Sequence, residues 1–163
     1  MKKVAASLLV AVMAMVYSVA TFADDNRFVF SRKTVTDQRT GLTWTRDANI
    51  GMRDWNGAFE LVKTLNKKNY AGFHDWRLPS KEEVETLAAY ARECKYNSTS
   101  DARRPYRLFN KMGFQNVQNG HYWSSSTVIT DIEYAWLLGM NNGYVENLSK
   151  QFPSYVWPVR GRK

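Results

Sequence analysis

The spacing of apolar residues changes along the chain, and each change predicts an element. Val4 to Ala20 is an almost unbroken apolar run, interrupted only by Ser7 and Ser18. Phe28-Val29-Phe30 then predicts a short strand. Thr34-Val35-Thr36 and Leu42-Thr43-Trp44-Thr45 are rich in β-formers. Between them lies Asp37-Gln38-Arg39-Thr40-Gly41, a turn whose glycine suits a positive φ, so a hairpin is expected. The period then lengthens. Trp55, Ala58, Phe59, Val62 and Leu65 recur at helical spacing, one apolar stripe behind a capping Asp54. Lys67-Lys68 suits the negative end of that helix, and Asn69-Tyr70-Ala71-Gly72 reads as its exit loop.

Ser80 followed by Glu83 is a capping box: each side chain can satisfy the other residue's backbone N–H. It opens a second helix with Val84, Leu87, Ala88 and Ala91 as its buried stripe, running to about Cys94. Residues 95–107 are polar and read as a long surface loop. Leu108 to Phe114 predicts a short helix ending around Gly113. The rest is β in character. Tyr122-Trp123-Ser124-Ser125 is one strand and Glu133 to Met140 another. Asn141-Asn142-Gly143 is a turn signal, with Tyr144-Val145-Glu146 returning from it. Ser154 to Arg160 is a closing strand. Strands, then helices, then strands again is a segregated order, which predicts an α+β fold with a strand-rich C-terminal half.

Composition adds a compartment. Lys2-Lys3, the apolar run and the small residues of Thr21-Phe22-Ala23 have the layout of a secretory signal peptide over residues 1–23. The expectation is one domain over residues 24–163, exported to the periplasm or secreted, with no membrane span after cleavage. The segment holds two basic residues and no acid, so removing it lowers the formal charge from +8 to +6. All six tryptophans lie beyond it, ample material for a packed core. The single cysteine excludes an internal disulfide, a multi-cysteine zinc site and any mechanism needing a cysteine pair. Asn97-Ser98-Thr99 and Asn147-Leu148-Ser149 fit a glycosylation pattern, which matters only in a host that glycosylates such sites.

Candidate chemistry is thin. Ser124-Ser125-Ser126 is not a nucleophile elbow, and His74 and His121 lack assigned partners. No metal-ligand motif and no phosphate-binding glycine loop is present, so no cofactor is expected. Asp131 and Glu133 offer only two carboxylates, which are ordinarily just solvated. Glu82, Glu83 and Glu85 sit where a helix dipole favours acids. Cys94 has Arg92 and Lys95 nearby in sequence, yet it ends an apolar stripe and reads as a buried or idle thiol. The basic surplus remains. Arg103, Arg104, Arg107 and Lys111 cluster in one segment, and Arg160, Arg162 and Lys163 in another. Such clusters suit polyanions, and an exported protein meets anionic glycans and membrane surfaces more readily than nucleic acid.

Several segments also occur in a telling order. They are Thr34 to Asp37, Thr40-Gly41-Leu42-Thr43-Trp44, Trp55 with Ala58, and Gly72-Phe73-His74-Asp75-Trp76-Arg77-Leu78-Pro79-Ser80 with Glu83. Tyr122-Trp123-Ser124-Ser125, Ala135-Trp136, Gly143 and Val159-Arg160 follow. This series resembles the Lcl C-terminal domain family, named after a bacterial collagen-like adhesin, over about Val35 to Arg160. The resemblance implies a C-type-lectin-like fold, two helices packed on a twisted, mainly antiparallel sheet. It also implies bacterial export, and binding of sulfated glycosaminoglycans in the member that names the family. Many members look to carry cysteines where this chain has Val62 and Pro158. A similar Arg77-Leu78-Pro79-Ser80 stretch with Glu83 occurs in formylglycine-generating enzymes, whose cysteine pair is missing here. Calcium-binding lectin patterns are absent as well.

Each part of the signature also has a structural reading. Trp76 and Leu78 can plug the core, Arg77 can pair with Glu83 or Asp75, Pro79 ends the extended segment and Ser80 caps the helix. Trp44, Trp55, Tyr122, Trp123, Trp136 and Arg160 are read in the same way, as fold positions. The expectation is a non-catalytic, adhesin-like binding module for an anionic glycan or an envelope or extracellular protein, not for nucleic acid. Its contact surface would be Arg103, Arg104, Arg107 and Lys111, with Tyr106 stacking. The alternatives are an interaction subunit of an envelope assembly and an enzyme with a site around Cys94.

Overall fold

The computed structural model describes residues 26–96 and 100–161. The expected signal peptide, the Asn97-Ser98-Thr99 triplet, Arg162 and Lys163 lie outside the described residues.

The fold is α+β, with two sheets and three α-helices among the described residues. Strands β1 (Phe28–Phe30), β2 (Thr34–Asp37) and β3 (Leu42–Thr45) form an antiparallel meander. Thr34 pairs with Thr45 and Asp37 with Leu42, and Gly41 takes a φ of 73° in the turn. The expected hairpin is therefore present, with β1 added at its edge. The two-residue strand β4 (Met52–Arg53), not anticipated from the pattern, leads into helix α1 (Trp55–Lys67). Asp54 caps α1 by accepting from the Gly57 amide at 2.7 Å. A 3-10 turn at Tyr70–Gly72 forms the exit loop.

Helix α2 (Lys81–Glu93) begins at the capping box. The Ser80 hydroxyl accepts from the Glu83 amide at 3.3 Å, and the Ser80 amide donates to Glu83 Oε2 at 2.8 Å. The expected long loop over residues 95–107 is corrected. A 3-10 turn occupies Asp101–Arg103, and helix α3 (Pro105–Met112) starts three residues before the expected Leu108. Pro105 at its first position explains the earlier start, since a missing N–H costs nothing there. Gly113 ends α3 at a φ of 115°, a conformation that glycine adopts freely.

The second sheet has the order β4-β8-β5-β6-β7. Its long hairpin joins β5 (His121–Val128) to β6 (Asp131–Gly139), both longer than the pattern suggested, and β7 (Val145–Ser149) returns along β6. The single closing strand expected over Ser154–Arg160 is also corrected. It divides into β8 (Ser154–Tyr155), paired with β4 and β5, and β9 (Val159–Arg160), paired with β3 in the first sheet. Pro158 sits between them. Proline donates no ladder hydrogen bond, so the chain leaves one sheet there and enters the other.

Two apolar clusters fill the interior. One packs the first sheet against α2 and α3, with rings from Phe28, Phe109, Phe114, Tyr122 and Trp157 in edge-on or tilted contact. The other packs α1 against Trp76, Leu78, Trp123, Leu137 and Val156. Most indoles find carbonyl partners: Trp157 donates to Thr45, Trp123 to Arg53, Trp55 to Ser124 and Trp76 to Tyr70.

The signature segment stitches the sheets together. Arg77 exchanges two backbone hydrogen bonds with Val159 of β9, each 2.9 Å, and the Pro79 carbonyl accepts from the Ser125 amide of β5 at 2.7 Å. Arg77 is thereby aimed at Glu83, and its guanidinium donates to both carboxylate oxygens at 2.6 Å. Asp75, the other possible partner, instead takes Arg160 at 2.7 Å.

Candidate functional site

The residues expected to form the contact surface lie on α3 and the 3-10 turn before it. Arg103 and Lys111 are exposed, Arg104 and Tyr106 are half-buried, and Arg107 is exposed. Arg107 pairs with Asp101, which also accepts from the Tyr106 hydroxyl at 3.3 Å. The Arg107 guanidinium stands 5.3 Å from the Tyr106 ring centre. The segment's one aromatic face is thus shared with a cation of its own helix, and one of its charges is met by an acid.

In the second basic cluster, Arg160 bonds Asp75 and lies 3.8 Å from the Phe73 ring centre. Hydrogen bonding from Arg160 holds the Asp75 carboxyl below its ordinary value. Around the signature, α1 and the Trp76–Ser80 stretch frame a groove of about 450 Å³ with Phe59, Val62, Leu78 and Ser125 in its walls. Arg77, at its edge, is engaged by Glu83. Among the other signature residues, Trp44, Trp76, Tyr122 and Trp123 are buried, while Trp55 and Trp136 are half-exposed. The Lys150 ammonium lies 4.1 Å from the Trp55 ring centre and the Lys81 ammonium 3.6 Å from that of Trp136.

A further basic surface was missed. Arg32 and Lys33, in the β1–β2 turn, border a cleft of about 370 Å³ whose opposite wall is Asn69, Ala71 and Gly72. Lys67 and Lys68 end α1 immediately before that wall, and both are exposed. Arg46 braces the turn, donating to the Ser31 carbonyl at 3.1 Å. Lys33 stands 5.5 Å from the ring centre of Tyr70, whose hydroxyl pKa is raised by burial and by the Asp47 charge. Among the described residues, none of these five cations has a carboxylate within 4 Å. The sequence carried a partial signal in its two basic dipeptides, but the helix dipole accounted for Lys67-Lys68, and nothing beside Arg32-Lys33 in the sequence singles it out.

The remaining candidates are scattered. Cys94 caps the end of α2, half-buried against the first cluster. His74 Nδ1 lies 2.9 Å from the Asn66 carbonyl, and His121 stands 3.5 Å from Glu146. The Asp131 carboxylate accepts from the Glu133 amide at 3.2 Å. Among the described residues, no group of three or more His, Cys, Asp or Glu is placed to hold a metal ion.

In sequence comparison, the family model described as the Lcl C-terminal domain matches residues 33–160. No curated protein matches the chain.

Proposed function

The chain belongs to the Lcl C-terminal domain family, and from that premise we propose that it is an exported, non-catalytic module that binds an anionic glycan such as a sulfated polysaccharide. The observation that carries this reading is the distribution of charge. Arg27, Arg39, Arg77, Arg92, Arg107 and Arg160 are held by carboxylates. Arg32, Lys33, Lys67, Lys68, Arg103 and Lys111 are not, among the described residues, and all six are exposed. Unpaired cations gathered on a surface raise the local concentration of polyanions. Export follows from the reading of residues 1–23.

The test is retention on immobilised heparin across a salt series. Retention at low ionic strength that falls steeply with added salt supports the proposal, because exposed charges are screened within about 10 Å at 0.1 M. A protein that flows through at low salt would sink it.

One observation favours an envelope-protein partner as a second reading. Ile129 and Ile132, at the outer end of the β5–β6 hairpin, are 95% and 71% exposed. Co-purification that is abolished by Ile129→Ser with Ile132→Ser and is indifferent to salt would support that reading over the first.

A further inference from the structure

The cleft between the β1–β2 turn and the loop after α1 sets two adjacent exposed cations, Arg32 and Lys33, at the edge of a concave surface. Most other arginines of the described residues are matched by carboxylates, or donate to carbonyls as Arg46 and Arg53 do; Arg103, on the 3-10 turn before α3, is exposed and lines no such cleft. Arg32 and Lys33 are adjacent in sequence, exposed and unmatched. Like charges held side by side repel, and no carboxylate of the described residues lies within 4 Å of either. The opposite wall is small or polar. A Cβ added to Gly72 would meet no atom within 4 Å, so that side of the wall is open to an approaching group.

We infer that this cleft, and not the α3 surface, is the principal contact for an oxoanion: a sulfate or phosphate group carried on a sugar-sized polar body. Arg32 and Lys33 supply the charge, with Arg32 able to meet two oxygens through its forked donors. Ser31, Thr34 and Asn69 supply hydroxyl and amide partners for the rest of the unit. Lys67 and Lys68 extend the field along the direction in which a polyanionic chain would continue. The volume of about 370 Å³ falls in the range of small-ligand sites. The polar lining offers no cover for an acyl chain, which favours a saccharide over a lipid as the carrier. On α3, by contrast, the cations stand on the outside of a helix and Asp101 already engages Arg107.

This inference rests on the proposed function, because it gives that binding a place. The experiment compares the purified protein with R32Q/K33Q, with R103Q/K111Q and with N69D, each checked for an unchanged thermal melt. Asn69→Asp keeps the side-chain size and adds a repelling charge at the cleft, so it reports even if the double variant folds poorly. The probes are inorganic sulfate, a heparin-derived oligosaccharide and phosphatidylglycerol vesicles. Sulfate is followed by backbone amide shifts, and the other two by affinity.

The expected result is a saturable sulfate response centred on Lys33, Ala71 and Gly72. For the oligosaccharide, R32Q/K33Q and N69D should weaken binding by roughly five- to tenfold, and R103Q/K111Q by less than about twofold. Vesicle binding that is lost in R32Q/K33Q, with no oligosaccharide binding, would keep the oxoanion site, assign its phosphate to a lipid headgroup and remove the glycan reading. Oligosaccharide binding that is unchanged in R32Q/K33Q, or lost equally in both double variants, would overturn the inference and leave the proposed function standing. A wild-type protein that responds to none of the three probes would overturn both.

Discussion

Arg27 and Asp37 form an ion pair whose side chains are 2% and 0% exposed. Arg27 Nε donates to Asp37 at 3.0 Å and its terminal nitrogen at 2.6 Å, while the Phe28 and Tyr90 rings stand 4.8 and 4.7 Å from the guanidinium. The sequence reading missed this pair. Arg27 precedes the first apolar triplet and Asp37 looked like a turn residue, and only the β1–β2 register brings them together. Breaking such a pair leaves a buried charge without its counter-charge. Asp37→Asn should therefore cost about 3–5 kcal/mol, measured by chemical denaturation. The Arg77–Glu83 pair was legible, because both residues sit in one short motif. The Asp75–Arg160 pair works at the surface. Its folded carboxyl pKa is lowered, so the stability it provides is present above the ordinary value of 3.8 and is lost as the pH falls through and below it. With Asp75 more than half exposed, Asp75→Asn should cost less than about 1 kcal/mol at neutral pH. That difference should vanish in stability curves taken near pH 2.

At the scale of elements, helix starts with side-chain caps were readable and the start without one was not. Asp54 and Ser80 announce α1 and α2, whereas Arg104 caps α3 with no side-chain hydrogen bond and only Pro105 marks the start. The Ser80 cap carries more than its helix. Glu83 closes the box and also grips Arg77, whose backbone joins β9. Ser80→Ala should cost about 1 kcal/mol from the lost cap alone. A larger loss would show that the grip on Arg77 loosens with it. Glu83→Gln, which keeps the shape and removes the charge, separates the two effects. The closing strand was misread because periodicity reports the alternation of faces and not the identity of the sheet. Ser154 and Tyr155 belong to one sheet and Val159 and Arg160 to the other.

For the molecule as a whole, charge and cysteine content acquire positions. The basic surplus reads in the sequence as clusters along the chain, and the fold regroups it. Arg32 and Lys33 border a cleft whose opposite wall, from Asn69, follows directly in the chain on Lys67-Lys68. No local pattern could show this, because the β1–β2 turn and the α1 exit meet only in the folded state. The cysteine count leads to the same level. The resemblance marks Val62 and Pro158 as places where many relatives look to have cysteine. Val62, 4% exposed, packs in the α1 cluster, and Pro158 is buried between β8 and β9. A disulfide acts mainly by restricting the unfolded chain. Without one, this domain's stability must come from contacts present in the folded state, and those contacts are indifferent to redox conditions. Adding a reductant should therefore leave the melting temperature unchanged in a scanning calorimeter. Cys94, the only cysteine, is half-buried at the end of α2 and could cross-link only to another molecule. A clear drop on reduction would mean that it had done so and that the covalent dimer is the more stable species.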